Sequence, residues 1–103
     1  MSNLIWDDPV DDEELNKEVD EYGTICYYKK GDRIYHRTNG PAVIGSNGTK
    51  FWYQNDLPHR LNGPAEEYYN GYKEWHYKGK YINCSSQQEF EKFLRLQNLK
   101  AFW

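Results

Sequence analysis

Aliphatic side chains are scarce in this 103-residue chain, where Leu, Ile, Val and Phe together number only 19. That share lies under the roughly 20% below which highly charged chains usually stay disordered. Cysteine is scarcer still. Cys26 and Cys84 stand alone, which excludes a disulfide framework and offers no zinc-ligand spacing. Both thiols read as small buried side chains. No apolar run approaches the ~20 residues of a membrane span, and mean hydropathy is −1.07. The opening Met1-Ser2-Asn3-Leu4-Ile5-Trp6-Asp7-Asp8 holds neither a basic stretch nor a long apolar one, so it does not read as a signal peptide. These absences set the expectation of a reduced, cytoplasmic protein without a membrane anchor. Motifs for catalysis are missing too: there is no Gly-rich phosphate loop, nucleophile elbow or HExxH pattern.

What the chain does hold is aromatic. Ten Tyr and four Trp supply large side chains that disordered segments normally lack. A folded core must therefore be built largely from rings. The net charge of −3 is an average over two unlike parts. Residues 1–21 carry nine acids against the single base Lys17, a net −8, while residues 22–103 carry a net +5. An acidic arm is thus joined to a mildly basic body, an asymmetry that bears on partners.

The body repeats itself. Sliding the chain along itself lays His36-Arg37-Thr38-Asn39-Gly40-Pro41-Ala42 over His59-Arg60-Leu61-Asn62-Gly63-Pro64-Ala65. The register continues through Asn47-Gly48 over Asn70-Gly71, Lys50 over Lys73 and Trp52 over Trp75, so that ten of the twenty positions in 36–55 match their partners in 59–78. A degenerate earlier copy lies upstream, where Gly23 matches Gly48 and Tyr27 matches Trp52. The four Asn-Gly pairs read as turns, because both residues tolerate positive φ. Strands are expected over Ile25–Tyr28, Ala42–Ile44, Lys50–Tyr53, Glu66–Tyr69 and Lys73–Tyr77, with Pro41 and Pro64 confined to strand starts or edges. Strand alternation puts Lys50 and Trp52 on one face and Phe51 and Tyr53 on the other. Glu74 stands where Phe51 stood while Trp75 is kept, so the Trp face is expected to be the core face and the other the wetter one.

The string H-R-x-N-G-P-A, followed by N-G and then by W, resembles the divergent variant of the MORN repeat. Such repeats occur in uncharacterised bacterial, phage and large-virus proteins. The resemblance covers more than half of the chain. It rests on His36, Arg37, Gly40, Pro41, Ala42, Gly48 and Trp52, and again on His59, Arg60, Gly63, Pro64, Ala65, Gly71 and Trp75. It implies antiparallel hairpins stacked into one twisted sheet that serves as a scaffold or interaction surface. MORN arrays are usually longer, so this short one needs caps.

Three segments follow: an acidic arm (1–21), a β-hairpin body (22–83) and a C-terminal capping helix (84–103). For the helix, Ser85 and Ser86 are N-cap candidates with Gln88 and Glu89 three positions on. Phe90, Phe93 and Leu94 form its apolar stripe. In the arm, Asp8-Pro9 and the Leu15/Val19 spacing fit one short helix. The fold class expected is mainly β, with tandem hairpin repeats and a helical cap.

His36, His59 and His76 raise the question of a metal or acid–base site. The first two are repeat-equivalent, and repetition marks structure, since a catalytic set is normally made once. Arg37 and Arg60 are expected to hold a turn carbonyl or stack on Trp or Tyr. No catalytic residue, metal ligand or cofactor is therefore assigned, and the chain is read as non-enzymatic. Function is expected to lie in protein–protein contact, as a monomer or small homo-oligomer. Candidate contact residues are the arm acids Asp7, Asp8, Asp11, Asp12, Glu13 and Glu14, the face residues Phe51 and Tyr53, and the terminal Phe102 and Trp103. The resemblance to phage and large-virus proteins narrows this to a viral protein that binds and blocks a host defence protein. Lysines and arginines interleaved with rings keep single-stranded nucleic acid as an alternative, disfavoured by a pI near 5.6. A self-assembling structural role is the other, through exposed terminal strands.

Overall fold

The computed structural model describes residues 15–100, with side chains as far as residue 97. The described chain runs β1 (Leu15–Val19), β2 (Ile25–Lys29), β3 (Val43–Ile44), β4 (Lys50–Phe51), β5 (Tyr53–Gln54), β6 (Leu57–Pro58), β7 (Glu66–Glu67), β8 (Lys73–Tyr77), β9 (Lys80–Ile82) and α1 (Gln87–Lys100). Seven strands form one sheet in the order β1-β2-β3-β4-β7-β8-β9, and β5 and β6 pair separately. All pairings are antiparallel. The fold is therefore mainly β with a C-terminal helix, as the sequence pattern predicts. No helix among the described residues is long and apolar enough to cross a membrane.

Three copies of one unit make up the sheet. Each opens with one strand (β1, β3, β7) and turns through the same kind of loop: Asp20–Thr24, Gly45–Thr49 and Tyr68–Tyr72. The first residue of each loop donates its N–H to the carbonyl of the last, at 3.0, 2.8 and 2.8 Å. The fourth residue is a left-handed glycine in every copy: Gly23, Gly48 and Gly71, with φ of 88°, 94° and 91°. This hairpin loop needs one left-handed residue at its end, and glycine takes that conformation at no steric cost.

The long strand of the first two units then changes partner midway. Trp52 donates its N–H to the Ala65 carbonyl of the main sheet, while its own carbonyl accepts from His59 N–H in the return strand. Tyr27 does the same between Ala42 and His36. A second turn sends the chain back, at Asn55-Asp56 and at Lys78-Gly79, where both central residues are left-handed as a tight two-residue hairpin requires. The returns are β6, β9 and, in the first copy, a single bridge between Tyr28 and Tyr35.

Two expectations are corrected. The Leu15/Val19 spacing belongs to strand β1, which pairs with β2 from Leu15↔Lys29 to Val19↔Ile25. A separation of four suits a helix face, but it is also two full strand periods. The sheet therefore takes in Leu15–Val19, which lie within the acidic segment 1–21. Secondly, Gly40 and Gly63 are not left-handed; their role is clearance, described below.

The helix caps the last repeat. Ser86 Oγ accepts from Glu89 N–H at 3.2 Å as an N-cap, and the Glu89 carboxylate accepts from Ser85 N–H at 2.8 Å, one residue before the cap. Phe90 and Leu94 enter a cluster with Trp75, Tyr77 and Ile82, all 8% exposed or less. Gln87 locks the contact, accepting from Trp75 Nε1 at 2.8 Å and donating to the Leu61 carbonyl at 3.1 Å. Trp75 thus lies in the core. Trp52 is only half-buried, as are Phe51 and Tyr53, and on β8 His76 of the opposite face is as buried as Tyr77, so the contrast between faces expected from the sequence is not found.

Candidate functional site

The repeated His-Arg loops are built as latches. His36 Nδ1 accepts from Asn55 N–H at 3.1 Å, and His59 Nδ1 accepts from Lys78 N–H at 3.0 Å. Each imidazole thus takes the backbone donor of a left-handed turn residue and ties the second turn to the start of the loop. Arg37 lies 4.0 Å over the Tyr27 ring and Arg60 3.8 Å over Trp52. The same guanidinium groups donate to the Pro41 and Pro64 carbonyls at 3.2 and 3.1 Å. A Cβ on Gly40 would sit 3.0 Å from the Arg37 guanidinium carbon, and one on Gly63 would sit 2.6 Å from that of Arg60. Glycine is what lets each arginine lie flat across its loop. At Trp75 the indole N–H donates to Gln87 of α1, and the helix covers the ring.

The other face of the sheet differs in kind. Cross-strand register aligns Glu18, Cys26, Val43, Phe51, Glu66 and Glu74 in one row across six strands. Alternation within β8 sets Glu74 and His76 opposite Trp75 and Tyr77, so this row faces away from α1. Rings run along it. Tyr28 stacks on Tyr35 at 5.1 Å, Tyr35 on Tyr53 at 5.5 Å, and Tyr53 meets Phe51 at 6.2 Å. Phe51 then meets Tyr68 edge-on at 5.7 Å, and Tyr68 meets Tyr72 at 5.6 Å. Tyr69, 69% exposed, borders a shallow groove on this face with Val43, Thr49, Phe51 and Tyr68.

Carboxylates sit among these rings. Tyr68 Oη donates to Glu66 Oε1 at 2.8 Å and Tyr72 Oη donates to Glu74 Oε2 at 2.8 Å. His76 Nε2 lies 3.1 Å from Glu74 Oε1 and 3.6 Å from Glu66 Oε2. The hydrogen bond to Glu66 pushes the Tyr68 phenol up to about 12, with burial adding to it. Hydrogen bonding from Tyr72, and then from His76, holds the Glu74 carboxyl below the usual range. Burial also lifts Tyr28 to about 12, and raises Tyr53.

Of the contact residues expected from sequence, the structure brings Phe51 and Tyr53 together on this face. Asp7, Asp8, Asp11, Asp12, Glu13, Glu14, Phe102 and Trp103 lie outside the described residues. Sequence reasoning missed Tyr28, Tyr35, Tyr68 and Tyr72 as one ladder, and the convergence of Glu66, Glu74 and His76. The second had a usable signal. Once the hairpin loop is centred on Asn70, Glu66 and Glu74 must face each other, and His76 follows on the same side.

No family model, curated protein or solved structure matches this chain.

Proposed function

We propose that the chain is a non-enzymatic interaction module that binds a partner protein through the tyrosine face of its sheet. One observation carries this reading: the unbroken run of rings from Tyr28 to Tyr72 on the face turned away from α1. Tyrosine offers large, rigid contact area at low entropy cost, with a polar tip that tolerates water before binding. The −8 segment 1–21, which includes β1, complements a partner surface rich in Lys and Arg. The resemblance to divergent MORN repeats supports the same reading. Its phage and large-virus setting supports the narrower version, in which the partner is a host defence protein.

A nucleic-acid strand would need cations beside the rings. Several cations are engaged otherwise. Arg33 lies 4.2 Å over the Tyr28 ring but is paired with Glu18 at 2.6 Å, Arg60 pairs with Glu67 at 3.1 Å, and Lys50 and Lys73 flank Glu67 in the row on the opposite side. Self-assembly has an observation of its own: β1 is an edge strand with four of five residues exposed, open to pairing with another copy. Sedimentation at high concentration checks that version, which predicts dimers or larger species.

Photo-crosslinking tests the main reading. A benzophenone side chain placed at Tyr69 should link one stoichiometric protein from host lysate. The same group at Leu96, exposed on α1, should not. A partner linked equally at both positions, or only at Leu96, contradicts the tyrosine face as the contact surface.

A further inference from the structure

We propose that Glu66, Glu74 and His76 form a binding site for one divalent first-row transition ion of the zinc class. The three come from adjacent strands. Glu66 and Glu74 are direct cross-strand partners, and His76 is two positions along β8 on the same side. Their ligand atoms all lie within 4.8 Å of one another. Nε2 sits 3.1 and 3.6 Å from the two nearest carboxylate oxygens. Those values bracket the roughly 3.3 Å between donors placed about 2.05 Å from a tetrahedral ion.

The division of labour among the oxygens is the stronger argument. Glu66 gives Oε1 to the Tyr68 hydroxyl and turns Oε2 toward His76. Glu74 gives Oε2 to the Tyr72 hydroxyl and turns Oε1 toward His76. Each carboxylate is thus oriented from behind by a phenol and leaves one oxygen facing the imidazole. Carboxylate ligands of bound metals are held in this way.

The site also has a charge to be answered. Two carboxyl groups directly opposite on paired strands repel when ionised, and their side chains are only 14% and 25% exposed. His76, 8% exposed, aims Nε2 at them, while its Nδ1 is buried without a hydrogen-bond partner. The ring's hydrogen bonding is therefore directed at the cluster alone. One imidazole and two oxygens favour zinc, cobalt or nickel over calcium and magnesium, which ask for six or more oxygens. Glu74, the most exposed of the three side chains, leaves a side on which water or a partner's side chain completes the coordination.

The test uses the full chain, stripped with chelator and titrated with Zn²⁺ by calorimetry and with Co²⁺ by visible absorption. We expect one equivalent of zinc at micromolar affinity or tighter, and a cobalt ligand-field band. Glu74→Gln and His76→Gln should each weaken binding at least tenfold. Tyr72→Phe, which removes only the rear hydrogen bond, should weaken it less than the loss of a ligand does. Circular dichroism shows whether each variant is folded, and the isosteric Glu74→Gln at a partly exposed position keeps the test open if His76→Gln is not. No binding at 100 μM zinc, or binding unchanged in folded Glu74→Gln, overturns the proposal.

Discussion

The two faces of the sheet use the same residue types for opposite ends. On the Trp face, rings are covered from within the chain: Arg37 lies on Tyr27, Arg60 on Trp52, and α1 on Trp75. On the tyrosine face Arg33 lies 4.2 Å over Tyr28, but the other rings meet one another, and no helix of the described chain lies across them as α1 does on the other side. Cover by the helix is therefore confined to one side, and the other is the one proposed for recognition. A thin sheet with few aliphatic residues divides its rings in this way, since successive side chains along a strand point to opposite faces.

Breaking the covered face should cost most. Phe90 is fully buried under the last repeat, and Phe90→Ala should destabilise by ~3–5 kcal/mol in urea denaturation. Phe51→Ala, at a half-buried position on the tyrosine face, should cost less than half as much. Next come the latches. His59→Leu leaves the Lys78 N–H without its acceptor, a loss of about 1–3 kcal/mol. Gly63→Ala drives a methyl into the Arg60 guanidinium at 2.6 Å, where Gly40→Ala meets Arg37 at 3.0 Å. The first should cost ~1–2 kcal/mol and the second less, because the nearer contact demands the larger shift.

Alkaline titration sharpens the comparison differently. Burial holds Tyr28 up at about 12. Above the ordinary phenol range the folded chain therefore keeps a proton that the unfolded chain has lost. This contribution is complete below pH ~10 and falls as pH rises towards 12. Absorbance at 295 nm should show exposed tyrosines ionising first, with a late fraction appearing only as the fold is lost. A single early transition for all ten tyrosines would contradict it.

Much of this was legible in the sequence for physical reasons. Asn47-Gly48 and Asn70-Gly71 announce their hairpin loops because the loop requires a left-handed residue at one position. The arginine over each ring was legible too, since its planar group has few other uses beside a repeated aromatic. The return strands were not. Leu57-Pro58 includes a residue that cannot donate to a ladder, and Lys80-Tyr81-Ile82 is too short to show a period. Gly40 and Gly63 mislead because a glycine needed for clearance looks the same as one needed for its φ. The ligand cluster stayed hidden because Glu66 and Glu74 stand where the preceding repeat carries Val43 and Phe51, so the repeat gives no hint of them.

The smallest effect on stability bears most directly on function. Tyr69→Ser removes a ring that is 69% exposed, and folding should change by no more than about 0.5 kcal/mol. Against the partner captured at that position, the affinity of Tyr69→Ser should fall at least tenfold, while that of Leu96→Ser on the helix stays within twofold of the parent. Equal losses for the two variants, or a loss confined to Leu96→Ser, would contradict recognition through the tyrosine face.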